Sequence, residues 1–351
     1  MSGPHLLTRS TQESNSSYTT GRNRLLTLLA FACIYFVWGS TYLGIRYAVE
    51  TIPPLFVAGF RHLIAGGLLF GWCWWRGLRP VRQQWFASIV LAVLFFLIGH
   101  GTLHWAQQTL PSGMAAFLIA TEPIFVAIIF TATGRTRITP SLLIGLLLGL
   151  LGVALIIGAD FRTGRSDMLS SFAVLIGSAS WSIGIVYSRS ASLHPDSRMA
   201  AAMSLLAGAG MLLLGGIVIG EGASLNLALV SLKSLLALGY LAVAGSLVAY
   251  SAYFWLLDRF PPTLIATHTY VNPLVALVLG WTIAGEVLTA GFVFGGLVII
   301  AAIALVGRAT SREGQATKIS EQGRHESTTE QTSAAKAMNR KDRSTQSEAE
   351  L

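Results

Sequence analysis

A glutamate at position 122 stands directly before a proline in a run that is otherwise apolar, GMAAFLIATEPIFVAIIF over residues 113–130. An ionised carboxylate in a membrane-spanning helix costs about 2.5–3.5 kcal/mol on insertion scales, so Glu122 must be protonated, be paired or face a polar cavity. A carboxyl so placed can hold a solute or load and release a proton. Arg61 and His62 lie about two turns into a second apolar run. Arg61 can pair with Glu122, bind an anionic group, cap helix carbonyls or snorkel outward. His100 and His104 are four residues apart and share a helix face, as do His268 and Asn272. The sequence HGTLH lacks the glutamate of HExxH, and two histidines are too few ligands for a metal centre. Neither a metal nor another cofactor is expected. Trp38, Trp181, Tyr250, Tyr253 and Tyr270 add aromatic surface, which serves either ring contacts to cationic and amphipathic solutes or plain packing. Phosphate loops, nucleophile elbows and zinc clusters are missing from the sequence, which argues against an ATP-driven pump and against an enzyme.

The elements that must position these residues are membrane spans. The 351 residues are 53% hydrophobic and only 11% charged, less than half the charge of a soluble domain. Mean hydropathy is +0.62. A bilayer core of about 30 Å takes roughly 20 apolar residues as a helix, and strands of a barrel would be shorter and alternating. Ten candidate helices follow: Leu26–Arg46, Leu55–Trp75, Phe86–Ala106, Ser112–Ala132, Ser141–Gly158, Ser170–Ser188, Met199–Ile219, Leu235–Leu257, Leu264–Ala284 and Gly291–Gly307. With the N-terminus inside, Arg9, Arg22, Arg24, Arg76, Arg79, Arg82, Arg135, Arg137, Arg189, Arg198 and Arg259 fall in the cytoplasm. Only Arg46, Arg162, Arg165 and Lys233 fall outside, which supports cytoplasmic termini. The net charge of +8 is spread in short clusters between apolar runs, so no nucleic-acid partner is expected. Residues 1–24 and 308–351 are polar and read as disordered cytoplasmic tails. Gly145, Gly149 and Gly152, with Gly291 and Gly295, have the spacing of close helix packing, which also leaves room for a homodimer.

The body of the chain repeats itself. A gapless shift of 150 residues aligns Trp105 with Trp255, Pro111 with Pro261, Pro123 with Pro273, Thr139 with Thr289 and Gly145 with Gly295. A slightly different shift aligns Trp38 with Trp181 and Arg46 with Arg189. Each half, 25–158 and 169–307, then carries five spans. Because five is odd, the second half must thread the bilayer in the opposite sense, giving an inverted repeat of the kind found in secondary transporters. Glu122 and Asn272 then face each other across the pseudo-two-fold axis at similar depth.

The stretches WGSTYLGIRYAVETIPPLFVAGFRHLIAGGLLF (38–70), WAQQTLPSGMAAFLIATEPIFVAIIF (105–130) and GSLVAYSAYFWLLDRFPPTLIATHTYVNPLVALVLGWTIAGEVLT (245–289) resemble EamA-domain transporters of the drug/metabolite transporter superfamily, in their YedA-like branch. The resemblance spans residues 25–307. It implies an all-α membrane protein of ten helices in two inverted EamA repeats around a central cavity. It also implies movement of small metabolites, often export, across a bacterial inner membrane. Glu286 fits the family's acid at the junction of the fourth and fifth helices of a half, and Arg135 stands near the equivalent place in the first half. The expected activity is alternating-access transport of amino-acid-like or amphipathic solutes, with Glu122 as the candidate for proton coupling. The rival readings are an intramembrane enzyme and a membrane scaffold or receptor acting through the C-terminal tail.

Overall fold

The computed structural model describes residues 24–134, 138–163, 168–257, 259–260, 265 and 267–309. Residues 1–23 and 310–351 of the expected tails and the basic residues Arg135, Arg137 and Arg165 lie outside the described residues, whereas Arg24 opens the first helix and Arg308 and Ala309 end the last. What is described is helical, without strands. Nine helices among the described residues are long and apolar enough to cross a membrane. They are α1 (Arg24–Ala48), α2 (Pro54–Trp75), α3 (Arg82–Ala106), α4 (Ser112–Ala132), α5 (Pro140–Thr163), α6 (Met168–Ser188), α7 (Ser197–Val218), α8 (Leu232–Tyr253) and, after α9, α10 (Ala290–Ala309). The helix α9 (His268–Ala284) has 17 residues and matches the ninth expected span, whose first residues lie outside those described.

Helix starts are set by local chemistry. Pro54 opens α2, where its missing N–H costs nothing. Asp196 caps α7 by accepting from the Arg198 N–H at 2.9 Å. The Arg198 guanidinium also holds the Asp196 carboxyl below its usual range. Glycines with left-handed backbone, Gly77 and Gly285, stop α2 and α9.

Helix packing respects the sequence repeat. Helix α2 lies along its counterpart α7, and α4 along its counterpart α9. Helix α1 packs on α8 and α9, and α6 packs on α3 and α4. Exchanging the halves maps each of these contacts onto another, as a pseudo-two-fold axis requires. Helices α5 and α10 meet through glycines: a Cβ on Gly152 would fall 2.6 Å from Ile299 Cγ1 and 3.0 Å from the Gly295 carbonyl oxygen. We expect Gly152→Leu to cost about 1–3 kcal/mol by overpacking, read as a lower midpoint of SDS unfolding in mixed micelles. Gly67, with nothing within 4 Å of its would-be Cβ, should accept alanine without loss.

Candidate functional site

The site is built where the helices depart from regular α geometry. Helix α4 is interrupted: one segment ends at Ile119 and a second starts at Glu122. Pro123 has no N–H to give the Ile119 carbonyl. Ser178 of α6 donates to that carbonyl at 3.2 Å instead. Ser182, one turn further, donates to the Glu122 carbonyl at 3.1 Å. Side-chain hydroxyls thus satisfy the freed backbone, as a non-aqueous interior demands.

Three further stretches are π-helical: Cys33–Val37 in α1, Ala92–His100 in α3 and Leu241–Val248 in α8. The stretches of α3 and α8 occupy counterpart positions in the two halves. Each π stretch offers a carbonyl to a side chain from the opposite half. Ser180 donates to the Leu94 carbonyl at 2.9 Å, and Trp38 Nε1 donates to the Gly245 carbonyl at 3.1 Å. With its amide nitrogen turned to the donor side, Asn272 donates to the carbonyls of Tyr35 at 2.9 Å and Ile34 at 3.2 Å. Irregular backbone of this kind gathers at functional sites in membrane helices.

Between the halves lies a cavity of about 550 Å³. Glu122, Arg61, Tyr250, Asn272 and His100 line it near the breaks. His194, Pro195 and Ser197 of the α6–α7 connection line its expected inner end. The expected outer end is packed shut by a core that includes Ile45, Leu103, Leu110, Met114, Leu238 and Leu241. Polar ties reinforce that end. Gln107 donates to the Tyr42 carbonyl at 2.8 Å, and Lys233 pairs with Glu50. Arg46 and Glu286 approach to 3.5 Å.

Glu122 and Arg61 both face this cavity, and neither joins an ion pair among the described residues. Arg61 is 4% exposed. Its Nε and Nη2 donate to the Ser246 hydroxyl at 3.2 and 3.1 Å. Tyr42, Tyr250 and Tyr253 line the same cavity. A buried cation and a carboxyl facing one cavity without pairing with each other can each take a complementary group from a guest.

The two repeat-related tryptophans each centre an aromatic cluster on the cavity wall. Trp38 has Tyr250, Tyr253 and His268 at centroid distances of 5.4, 5.2 and 5.0 Å. Trp181 has Phe95 at 4.4 Å and His100 at 5.1 Å. The structure therefore gathers Glu122, Asn272, Arg61, His100, His268, Trp38, Trp181, Tyr250 and Tyr253 around one space. It does not bring His104 and Tyr270 to the wall. His104 is fully buried, with its Nδ1–H donated to the His100 carbonyl at 2.7 Å. The Tyr270 hydroxyl donates to the Ile303 carbonyl of α10 at 3.3 Å. His62, Ser246, Tyr42 and Ser178 complete the site. Of these, only His62 carried a signal, as the neighbour of Arg61 in an apolar run. Among the described residues, no group of three or more His, Cys, Asp and Glu is arranged to hold a metal ion.

Residues 25–158 and 168–308 each match the EamA-like transporter family. The chain is 36% identical over 263 residues to the uncharacterized inner membrane transporter YedA of Escherichia coli strain K12, covering 74% of this chain and 83% of that protein. It is 26% identical over 279 residues to the uncharacterized transporter YoaV of Bacillus subtilis, covering 79% and 94%. It is 29% identical over 271 residues to an S-adenosylmethionine/S-adenosylhomocysteine transporter of Chlamydia trachomatis, covering 74% and 82%. A solved structure titled only as the crystal structure of a protein superposes with a TM-score of 0.56 at 20% identity, covering 81% of this chain and 97% of that one. That likeness concerns the fold.

Proposed function

Because the chain belongs to the EamA-like transporter family, and is a membrane transporter in that sense, we propose that it exports small amino-acid-like or amphipathic metabolites across the bacterial inner membrane by alternating access. The observation that carries this reading is the cavity between the halves, with the Glu122 carboxyl and the Arg61 guanidinium both facing it and unpaired among the described residues. A solute bearing an ammonium group and a carboxylate meets both. Its apolar part lies against Trp38, Tyr250 and Tyr253 through ring contacts. The halves 25–158 and 169–307 rock about the bound solute, with both termini in the cytoplasm. Trp38, Ser180 and Asn272 supply the inter-half bonds that must exchange as they do so. Protons couple to the solute through Glu122.

The test is a metabolite export panel in cells expressing the wild type, Arg61→Ala or a chain cut before Arg312. Truncation is expected to leave export unchanged, since the tail is remote in sequence from every cavity residue. Export lost on truncation, with Arg61→Ala unaffected, would support the scaffold reading instead. Arg61→Ala is expected to lower export of carboxylate-bearing solutes about tenfold or more, the cost of one hydrogen bond to a charged group.

A further inference from the structure

His62 lies behind the cavity wall and is fully buried on α2. Its Nε2 meets Nδ1 of His100 at 2.7 Å. In a pair of neutral imidazoles, one nitrogen of this contact donates and the other accepts. The remaining ring nitrogens decide which. His62 Nδ1 is buried with no partner, as is His104 Nε2. A buried N–H without an acceptor is rarer and more costly than a bare lone pair without a donor. His104 already obeys this rule: its Nδ1 must carry the proton, because its partner is the His100 carbonyl, and its orphaned Nε2 is the bare nitrogen. The same rule puts the His62 proton on Nε2 and leaves its Nδ1 bare. His62 is then the donor, and His100 Nδ1 the acceptor. The proton of His100 is forced onto Nε2, the edge of the ring away from His62, and the ring lines the cavity.

Arg61 is a donor by nature, and its two bonds to Ser246 use only part of its five N–H groups. We propose that His62 is a positioning residue that fixes the His100 tautomer, so that Arg61 and His100 form a donor-only corner specific for an oxyanion head, a carboxylate, of the solute. The inference rests on the reading of this cavity as a solute site and deepens it. Glu122, a carboxyl on the wall of the same cavity, is left for the solute's ammonium group. Helix α6 presents the Trp181 ring against His100, and Phe96 of α3 covers His62 with ring centroids 4.7 Å apart. A solute with an amide or ammonium group in place of the carboxylate would set donor against donor there, which is how a fixed tautomer excludes a near-isostere.

The experiment is nitrogen NMR of the full chain, labelled with ¹⁵N-histidine and held in nanodiscs, with His100→Gln to assign the His100 signals. The expected spectrum has a protonated Nε2 and a bare Nδ1 on His100. Titration with benzoate should move the Nε2 signal, and benzamide should do so at least about tenfold more weakly. In His62→Leu, His100 should populate both tautomers and the discrimination should fall. His62→Gln, whose amide can still donate, should restore part of it. A bare Nε2 on wild-type His100, equal responses to benzoate and benzamide, or no response to either would overturn the proposal. Failure of the transport reading shows separately, as absent flux with the His100 signature intact.

Discussion

Glu286→Ala is expected to lower the unfolding midpoint by an amount worth about 2 kcal/mol and to loosen the expected outer end of the bundle. The carboxylate does three things at once. It accepts from the first N–H groups of α4, Ser112 at 2.8 Å and Gly113 at 3.4 Å, and it sits 3.5 Å from Arg46 of α1. It therefore joins the α9–α10 junction of one half to two helices of the other. Arg46 in turn donates to the Leu110 carbonyl at 3.0 Å, at the end of the α3–α4 connection. A charge-assisted bond to a helix N-terminus contributes about 1.5–3 kcal/mol. The Arg46 pair adds less, because its side chain is 34% exposed. Gly280 makes room for this arrangement, since a Cβ there would fall 2.4 Å from Glu286 Oε2. Glu286→Gln keeps an acceptor for the two N–H groups and should retain about half the effect. Glu221 acts in the same manner on α2, accepting from Leu55 and Phe56 at 3.0 and 3.3 Å. On the expected inner side, Phe130 occupies the place that corresponds to Gly280, and Arg189 lies over its ring at 5.1 Å. An ion pair holds one end and a cation on an aromatic ring the other. In a background with Cys33 and Cys73 replaced, a reporter cysteine at Leu110, which is fully buried, should react from outside faster in Glu286→Ala than with Glu286 intact. Unchanged reactivity and an unchanged midpoint would show that the hydrophobic core alone closes this end.

How much of this was legible beforehand depends on the reach of each interaction. Span length is a local property of apolar runs, so every helix that positions the site could be read from the residues. Glu122 was legible because a carboxyl in that run has few places to go, and Asn272 followed from the repeat. Tyr270 was misplaced for a reason also present in the sequence. It lies two residues from both His268 and Asn272, and residues two apart on a helix do not share a face, so it turns toward α10 instead. His104 shares the face of His100, but one turn nearer the outer end, where Leu103, Ala106 and Leu110 close the core. Where a cavity stops is a property of packing between the halves and has no signature in one helix. The π stretches belong to the same class. Ordinary apolar sequence occupies them, and what stabilises them is a donor from the other half, more than 80 residues away in sequence for Ser180 and more than 200 for Trp38. Glu221 and Glu286 as helix caps rest on contacts 165 to 174 residues apart, beyond any local pattern.

Glu122→Gln is expected to uncouple transport from protons. The carboxyl begins the second segment of a broken helix, where the backbone is already satisfied by Ser178 and Ser182. Its side chain is thus free to serve the cavity. Glutamine keeps the shape and the hydrogen-bonding capacity but cannot release a proton. In proteoliposomes loaded with a solute found by the export panel, the stimulation of flux by a proton gradient should be lost in Glu122→Gln, while exchange without a gradient persists. Wild-type flux that ignores an imposed proton gradient, and equals that of Glu122→Gln, would remove Glu122 from the coupling. The pseudo-symmetry supplies a stricter control. If depth in the bilayer were all that mattered, Glu122→Asn combined with Asn272→Glu would restore coupling from the other half. We expect it not to, because the Asn272 amide donates to two carbonyls freed by the π stretch of α1, at 2.9 and 3.2 Å. An ionised carboxylate has no proton to donate there and a neutral carboxyl has only one, so the exchanged pair would leave buried acceptors unpaired and the inter-half contact broken.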